Sequence, residues 1–356
     1  MPGCWQNIVI VASTKAKSAA LRARRLQCGL TQAELAVRAG VSRQLVAAVE
    51  SGHNMPAADA AVRLARALAT TVEDLFAATS SSFAAALGAP LREGSLLRVG
   101  IVGDRLVAAS LPDHGIAGAA WARSDAVVEG NRPRLFPGAS PRGFVLAGCD
   151  PALGLAESML EGLGPCSLLA ISAASGVAIS SLARGGIHAA VVHGLYDGLP
   201  EPPVPVQRLH LARWEVGLAT APKLGRKSLR ALLSGRVPIA QRGPAAASQL
   251  SLERAASQAG RASPLPGPVV DGHIEAARTA SALECAAVTI EAAARPFDLR
   301  FIPLEEHVVE LWVADRWRDH PGFAALANVL ASAAFTKRVA HFGGYDLRDC
   351  GIRVSR

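Results

Sequence analysis

Along residues 18–78 of this 356-residue chain, apolar side chains recur three and four apart; from Leu96 onward they gather into short unbroken runs separated by stretches of helical period. The first regime predicts helices, and the second predicts buried strands alternating with helices. "LTQAELAVRAG" sets Leu35, Ala36 and Ala39 on one face. Thr31 stands at its N-cap, Glu34 is placed as the capping-box partner, and Gly40 ends the helix. "GVSRQLVAAVESG" repeats the plan with Ser42 as N-cap, Leu45, Val46 and Val49 inward, and Gly52 past the end. A first helix is expected in "AALRARRLQCG", a fourth over about Ala58–Leu68 and a fifth begun by Thr71, with Leu64, Leu68, Leu75 and Phe76 closing a small core. Five helices within roughly sixty residues form an all-α domain near the lower size limit for folding alone.

Residues 79–95, "TSSSFAAALGAPLREGS", read as a linker or weak helix. Residues 96–143 read as a small β-rich connecting segment, with a hairpin about Gly103-Asp104 and a further strand in "DAVVEG". Residues 144–356 alternate: strand "GFVLAGCD", helix from Pro151 to about Leu163, strand "SLLAIS", helix "GVAISSLARGG", strand "HAAVVHG", strand "VPIAQR", helix from about Ala245 to Ala259, strand "CAAVTI". Continuous apolar strands between helices predict an α/β domain with a parallel sheet covered on both faces.

Half of the residues are hydrophobic, so two or three domains with sizeable cores are expected. The net charge is +8, and residues 1–80 carry nine basic against five acidic side chains. Half of the excess charge thus falls where phosphate neutralisation would use it. Six cysteines without regular spacing, and no secretory signal, point to a reducing cytoplasm. "WQNIVIVA" near the start is too short to span a bilayer, and no membrane partner is expected.

Two short helices joined by a tight glycine turn form a helix-turn-helix unit, whose second helix enters the major groove of duplex DNA. Arg43 and Gln44, in the first turn of that helix, have the donors and acceptors that match guanine and adenine edges. A helical bundle for protein contact is the plainer alternative. The set Arg25, Gly29, Leu30, Thr31, Gln32, Glu34, Leu35, Ala36, Gly40, Val41, Ser42, Arg43, Glu50, Gly52, Pro56, Asp74, Leu75 and Phe76 resembles the Cro/repressor-type (XRE) helix-turn-helix family over residues 18–78. The resemblance implies that Gln32 clamps a phosphate, that Ser42, Arg43 and Gln44 face bases, and that contacts extend to Ala47. It also implies a homodimer on a double-stranded operator.

Sheet chemistry gathers at the carboxyl ends of the strands. Those ends hold Cys149 and Asp150; Ser172, Ser175 and Gly176; His193 and Tyr196; and Gln241, Arg242 and Gly243 with Ser248 beyond. Helix N-termini, hydroxyls and an arginine there suit an anion. The plainer reading is that Ser175 and Ser248 cap helices and Arg242 pairs on the surface. Over about residues 144–356 the chain resembles the periplasmic-binding-protein-like, molybdate-binding-like domains fused to helix-turn-helix heads. The segments that carry this are "AGCDPALGL", "LARGGIHAAVVHG", "WEVGLA", "VPIAQRGPAAAS", "ECAAVTIEAAA", "FIPLEEHVVELWV" and "GGYDLRDCG". That family's arginine strand reads Asn-Arg-Gln before a donor-rich turn, whereas here Gln241-Arg242 runs into Gly243-Pro244-Ala245-Ala246-Ala247-Ser248. The resemblance implies two lobes, crossover strands near "RLHLARWEVGLA" and "FIPLEEHVVELWV", and a small effector, such as an oxyanion of the molybdate or tungstate kind, in the cleft. The expected ligand set is Asp150, Ser172, Ser175, Gly176, His193, Gln241, Arg242 and Ser248, with no catalytic group, cofactor or metal. Two alternatives stand beside it: a metal or thiol sensor drawing on Cys149, Cys166, Cys285, His188, His193 and His210, and an enzyme with Cys149 as nucleophile and His193 as base.

Overall fold

The computed structural model describes residues 21–22, 24–26, 28–51, 53–72, 75, 83–111, 123–130, 132–137, 139–161, 166–261 and 265–354. The chain divides into two compact units, Met1–Phe83 and Ala84–Arg356.

In the first unit, α1 (Gln32–Ala39), α2 (Arg43–Glu50) and α3 (Ala58–Ala67) are helical, as are described residues around Leu21 and Leu75. The capping box is present: Thr31 Oγ1 accepts the Glu34 N–H at 3.2 Å, and a Glu34 carboxylate oxygen accepts the Thr31 N–H at 2.7 Å. Gly40 ends α1 in the left-handed region at φ 64°, where a Cβ is disfavoured. Leu21, Leu35, Val46, Val49, Leu64, Leu68 and Leu75 form one buried cluster. Gly52, Asp74, Phe76 and parts of the expected first and fifth helices lie outside the described residues, as does "WQNIVIVA".

From the boundary between the units onward, a five-stranded sheet has the order β1-β3-β2-β4-β5, with β1 Phe83–Ala85, β2 Leu96–Val102, β3 Arg105–Ser110, β4 Ala126–Glu129 and β5 Arg132–Leu135, and β2 to β5 pair antiparallel. The described part of the expected linker therefore contributes an edge strand and turns, not a helix. This small sheet packs on its neighbour: a Cβ on Gly100 would stand 2.4 Å from Val145 Cγ2, so only glycine permits the approach. Arg98 of β2 forms a buried bidentate ion pair with Glu157.

The large sheet runs β11-β10-β12-β9-β13-β8-β6-β7, with β14 against β9. Its strands are β6 Phe144–Gly148, β7 Leu168–Ser172, β8 Ala189–Gly194, β9 Val206–Thr220, β10 Ile239–Arg242, β11 Val269–Val270, β12 Ala286–Ile290, β13 Arg300–Ala314 and β14 Tyr345–Asp346. The expectation of a parallel sheet is corrected here. β6 pairs parallel with β7 and β8, and β10 with β11 and β12, but β9 and β13 are antiparallel strands of 15 residues each. Val216–Thr220 of β9 pair with β12, while Val308–Val313 of β13 pair with β8. The two long strands therefore bind two lobes into one sheet. A register shift between Pro303 and Glu305 marks the crossing, at a residue with no N–H for the ladder.

Alternation along β6 sorts the layers. Phe144 and Leu146 point into a core shared with α4 (Ala152–Glu161) and α10 (Pro321–Leu330); Val145 and Ala147 point into a second core with α5 (Ser175–Ala183) and the small sheet. The remaining helices are α6 (Leu229–Leu232), α7 (Ala247–Gln258), α8 (His273–Ala282), α9 (Glu291–Ala294) and α11 (Ala333–Ala340).

Candidate functional site

Expected residues stand in each of the two units, and of the expected ligand set Asp150 and Ser172 line the cleft of the second. In the first unit, the first turn of α2 presents Arg43 and Gln44 to solvent. Ser42 caps this helix by accepting the Leu45 N–H at 3.1 Å, and Ala47 is half-buried one turn on. Gln32 has a structural task that the sequence did not reveal: its amide donates to the Glu50 carboxylate at 2.8 Å. Glu50 also receives Arg25 at 2.6 and 3.1 Å, and Arg25 donates to the Leu30 carbonyl. Burial alone raises the Glu50 carboxyl, but the hydrogen bonds from Arg25 and Gln32 outweigh it and hold the group below its ordinary range. This knot fixes the end of α2 against the start of α1, so the exposed first turn is displayed on a rigid base.

In the second unit, a cleft of about 1020 Å³ lies over the carboxyl ends of β6, β7 and β11. Ser172 faces Gly272 across it, where a Cβ would stand 3.5 Å from the Ser172 hydroxyl. The lobes also meet where the Gly176 N–H donates to the Ala245 carbonyl at 3.0 Å. The capping by Ser175 and Ser248 that the plainer alternative offered does not occur. The N-cap residues of α5 and α7 are Ala174 and Ala246, and neither supplies a side-chain bond. Ser175 instead accepts the His193 N–H at 3.3 Å.

Beneath the cleft, with Cys149 and His273 forming part of its wall, lies a buried polar cluster. Cys149, His193 and His273 each offer a ligand atom within 4.8 Å of the others. His193 Nδ1 lies 2.8 Å from His307 Nδ1, and His307 Nε2 lies 3.1 Å from Ser251 Oγ. The Ser251 hydroxyl donates to the Ala247 carbonyl, so it accepts from His307 Nε2–H. His307 Nδ1 then accepts from His193 Nδ1–H, which leaves the lone pair of His193 on Nε2. By the same reasoning, Thr289 donates to the His273 carbonyl at 2.9 Å and accepts from His273 Nδ1 at 3.4 Å, so His273 also carries its lone pair on Nε2.

Burial, reinforced by Arg242, pushes His193 and His273 well below the usual histidine value and keeps them neutral. Burial pushes the Cys149 thiol up to about 12. Burial thus favours the protonated thiol over the thiolate, which is the nucleophilic form. Arg242 is 3% exposed; its Nε donates to the Val270 carbonyl at 3.2 Å, while Nη1 has no partner among the described residues. Ser248 Oγ, His273 Nε2 and Trp214 Nε1 are likewise buried and unpartnered among them.

Two expected ligands have other work. The Gln241 amide donates to the Leu265 carbonyl and its oxygen accepts from Gln249. Asp150 accepts from the Ala152 N–H and the Tyr345 hydroxyl, at 2.8 and 2.7 Å, and burial raises its carboxyl to about 6. Of the sensor alternative, only Cys149 and His193 converge. His188 stacks on Phe144 and accepts the Val145 N–H, Cys285 precedes the opposite end of β12, and neither Cys166 nor His210 joins the cluster. The sequence reading missed His273 and His307. The "DGH" before α8 has the strand-to-helix form of the other site turns, but β11 is only two residues long and gave no apolar run.

Residues 21–75 match a helix-turn-helix family model, and residues 156–331 match a PBP superfamily domain. An uncharacterized HTH-type transcriptional regulator of Methanothermobacter thermautotrophicus is 47% identical over 57 residues, covering 16% of this chain and 83% of the relative. The restriction-modification controller protein C.AhdI from Aeromonas hydrophila is 32% identical, with 18% of this chain and 98% of that one covered and a TM-score of 0.18. A putative phosphate ABC transporter substrate-binding protein with bound phosphate, from Clostridium perfringens, is 9% identical, with coverages of 60% and 99% and a TM-score of 0.44.

Proposed function

Because the chain belongs to the helix-turn-helix transcriptional regulators and joins that head to a PBP-like ligand-binding domain, we propose that a small anionic effector in the interlobe site controls how the head binds duplex DNA. The observation that carries the effector reading is Arg242, a buried guanidinium whose Nη1 has no partner and which bonds to no carboxylate among the described residues, although Asp271 is near enough to act on its charge. A desolvated cation is costly until an anion pairs with it. The uncapped starts of α5 and α7 add backbone N–H groups on the two sides, and the Ser248 hydroxyl adds a donor. Ser172, Ser175 and His193 complete the set around the effector, while Gly176 joins the lobes beside it through its bond to Ala245.

An effector gripped by both lobes favours the closed form by its differential affinity. In a homodimer, closure alters the spacing of two recognition helices, and half-sites one turn apart are intolerant of such a change. Arg43 and Gln44 read bases, with Ser42 and Ala47 beside them, while Gln32 positions the helix through Glu50 and meets phosphate with the rest of its amide.

The test begins with duplexes selected from a random pool by the full chain. Arg43→Ala is expected to cost about 1–3 kcal/mol on the selected sequence and to relax preference. Arg242→Ala is expected to leave effector-free DNA affinity unchanged and abolish the response to small oxyanions, scored by anisotropy. Equal loss on selected and random DNA for Arg43→Ala defeats the base-reading assignment, and an undiminished oxyanion response in Arg242→Ala defeats the anion assignment.

A further inference from the structure

The cluster beneath the cleft contains more than an anion site needs. Two neutral imidazoles carry their lone pairs on Nε2, and a thiol sits with them, all three side chains buried. Each imidazole is fixed through its Nδ1–H by a chain that ends on a backbone carbonyl: His193 through His307 and Ser251 to Ala247, and His273 through Thr289 to its own carbonyl. Such outer contacts set the tautomer and aim the ring of a metal-binding histidine. A histidine that merely packs in a core has both ring nitrogens satisfied or one exposed, whereas His273 is 1% exposed and its Nε2 has no partner among the described residues.

We propose that Cys149, His193 and His273 hold a divalent transition-metal ion of the zinc class and leave one coordination position for the anionic effector, which also pairs with Arg242. The proposal rests on the reading of this site as the effector site. One thiolate and two imidazoles form a ligand set that suits zinc, cobalt and their neighbours. Atoms within 4.8 Å of one another reach the roughly 3.5 Å of a tetrahedral site by a small inward rotation. Charge argues for the fourth ligand. The bound ion and one thiolate sum to +1 and Arg242 adds another +1; Asp150 beside Cys149 and Asp271 beside Arg242 offset part of this, and an anion in the fourth position meets the charge of the ion and the guanidinium directly. Binding forms the metal–sulfur bond and breaks the S–H bond of Cys149, and the proton passes to solvent, so one proton leaves per ion bound.

The experiment titrates the full chain with Co(II), first alone and then with inorganic phosphate or molybdate. One ion per chain is expected, with a thiolate-to-cobalt charge-transfer band, four-coordinate visible absorption and release of about one proton. Cys149→Ala is expected to remove the charge-transfer band, and His273→Gln to weaken binding about tenfold or more. Arg242→Met is expected to keep the metal spectrum but lose the change that the oxyanion produces. Folding of each variant is checked by circular dichroism, and Zn(II) displacement of Co(II) on the unsubstituted chain reads the same site without any variant. Absence of stoichiometric cobalt on the unsubstituted chain, or a cobalt spectrum unchanged in Cys149→Ala, overturns the inference. If no metal binds yet oxyanions alone alter DNA affinity through Arg242, the metal is wrong and the regulatory reading stands. If metal and oxyanion bind as stated but DNA affinity is indifferent to both, the site stands and the regulatory reading falls.

Discussion

Two buried arginines, one in each unit, have opposite surroundings. Arg25 of the head meets Glu50 through two hydrogen bonds, and Gln32 completes the carboxylate; Arg242 of the ligand domain has a carbonyl on Nε and nothing on Nη1 among the described residues. Within the ligand domain, Arg98 follows the pattern of the head by pairing with Glu157. Burial by itself is therefore a poor guide to function. What separates a structural charge from a waiting one is whether the fold supplies its counter-charge. The helix ends divide within each unit: Thr31 and Ser42 cap α1 and α2 while Ala57 leaves α3 uncapped, and Ser332 caps α11 while Ala174 and Ala246 leave α5 and α7 uncapped.

The largest test of this comparison is Glu50→Ala. It strands the Arg25 guanidinium in a buried place and removes the anchor of Gln32, so the head is expected to lose about 3–5 kcal/mol. That is a large share of the stability of so small a domain. Urea unfolding followed by the helical signal at 222 nm measures it, and a shift below about 1 kcal/mol would show that Arg25 finds another partner.

Next in size is the pH response of His188. Burial, with help from His320, lowers this group to about 3, against an ordinary 6.5. The folded state therefore disfavours the protonated form. The stability that this contributes is fully present above about pH 6.5, begins to fall below it and is lost progressively toward pH 3. At 1.36 kcal/mol per pH unit the total reaches several kcal/mol. His188→Gln is expected to flatten the acid limb of the urea midpoint against pH, and an unchanged slope would assign the acid sensitivity to other groups.

Arg242→Met is expected to change the sign. With no bonded counter-charge to strand, replacing the guanidinium with an apolar chain of similar length is expected to raise effector-free stability by about 1–2 kcal/mol while the effector response disappears. Destabilisation as large as that of Glu50→Ala would mean that Arg242 is already compensated within the fold, and the contrast between the two arginines would be broken.

The head was legible because its rules are local. Thr31 with Glu34, Ser42 and Gly40 act within a single turn, so their spacing alone predicted α1 and α2. The strands β6, β7, β8, β10 and β12 were legible as apolar runs. Their mixed direction was not, because β9 and β13 differ from buried parallel strands only in length and in the partners they meet at distant positions, such as Trp214 against His307. The site was half legible for the same reason. Arg242 and His193 stand at strand ends that the pattern marks, whereas His273 and His307 acquire meaning only when sequence separations of 80 and 114 residues are closed on His193. Gln32 shows the converse, since a position read for DNA contact also carries an internal bond that depends on Glu50 18 residues away.

The smallest effect concerns the helix ends. Thr31→Ala removes one half of a capping box and is expected to cost about 1 kcal/mol in the head. The reciprocal change, Ala174→Asp, supplies the missing cap where the backbone at φ −62° and ψ 150° already suits one. It is expected to stabilise the effector-free domain by about 0.5–1 kcal/mol, because a carboxylate at a helix start satisfies an orphan N–H and meets the positive end of the dipole. Ala174 also lines the cleft, so the same carboxylate repels an incoming anion and competes for the N–H groups that would bind it. A variant that is more heat-stable yet needs more oxyanion to respond is therefore the expected result. A gain in stability with an unchanged oxyanion midpoint would assign the uncapped end of α5 to fold geometry alone and leave Arg242 as the anion's principal contact.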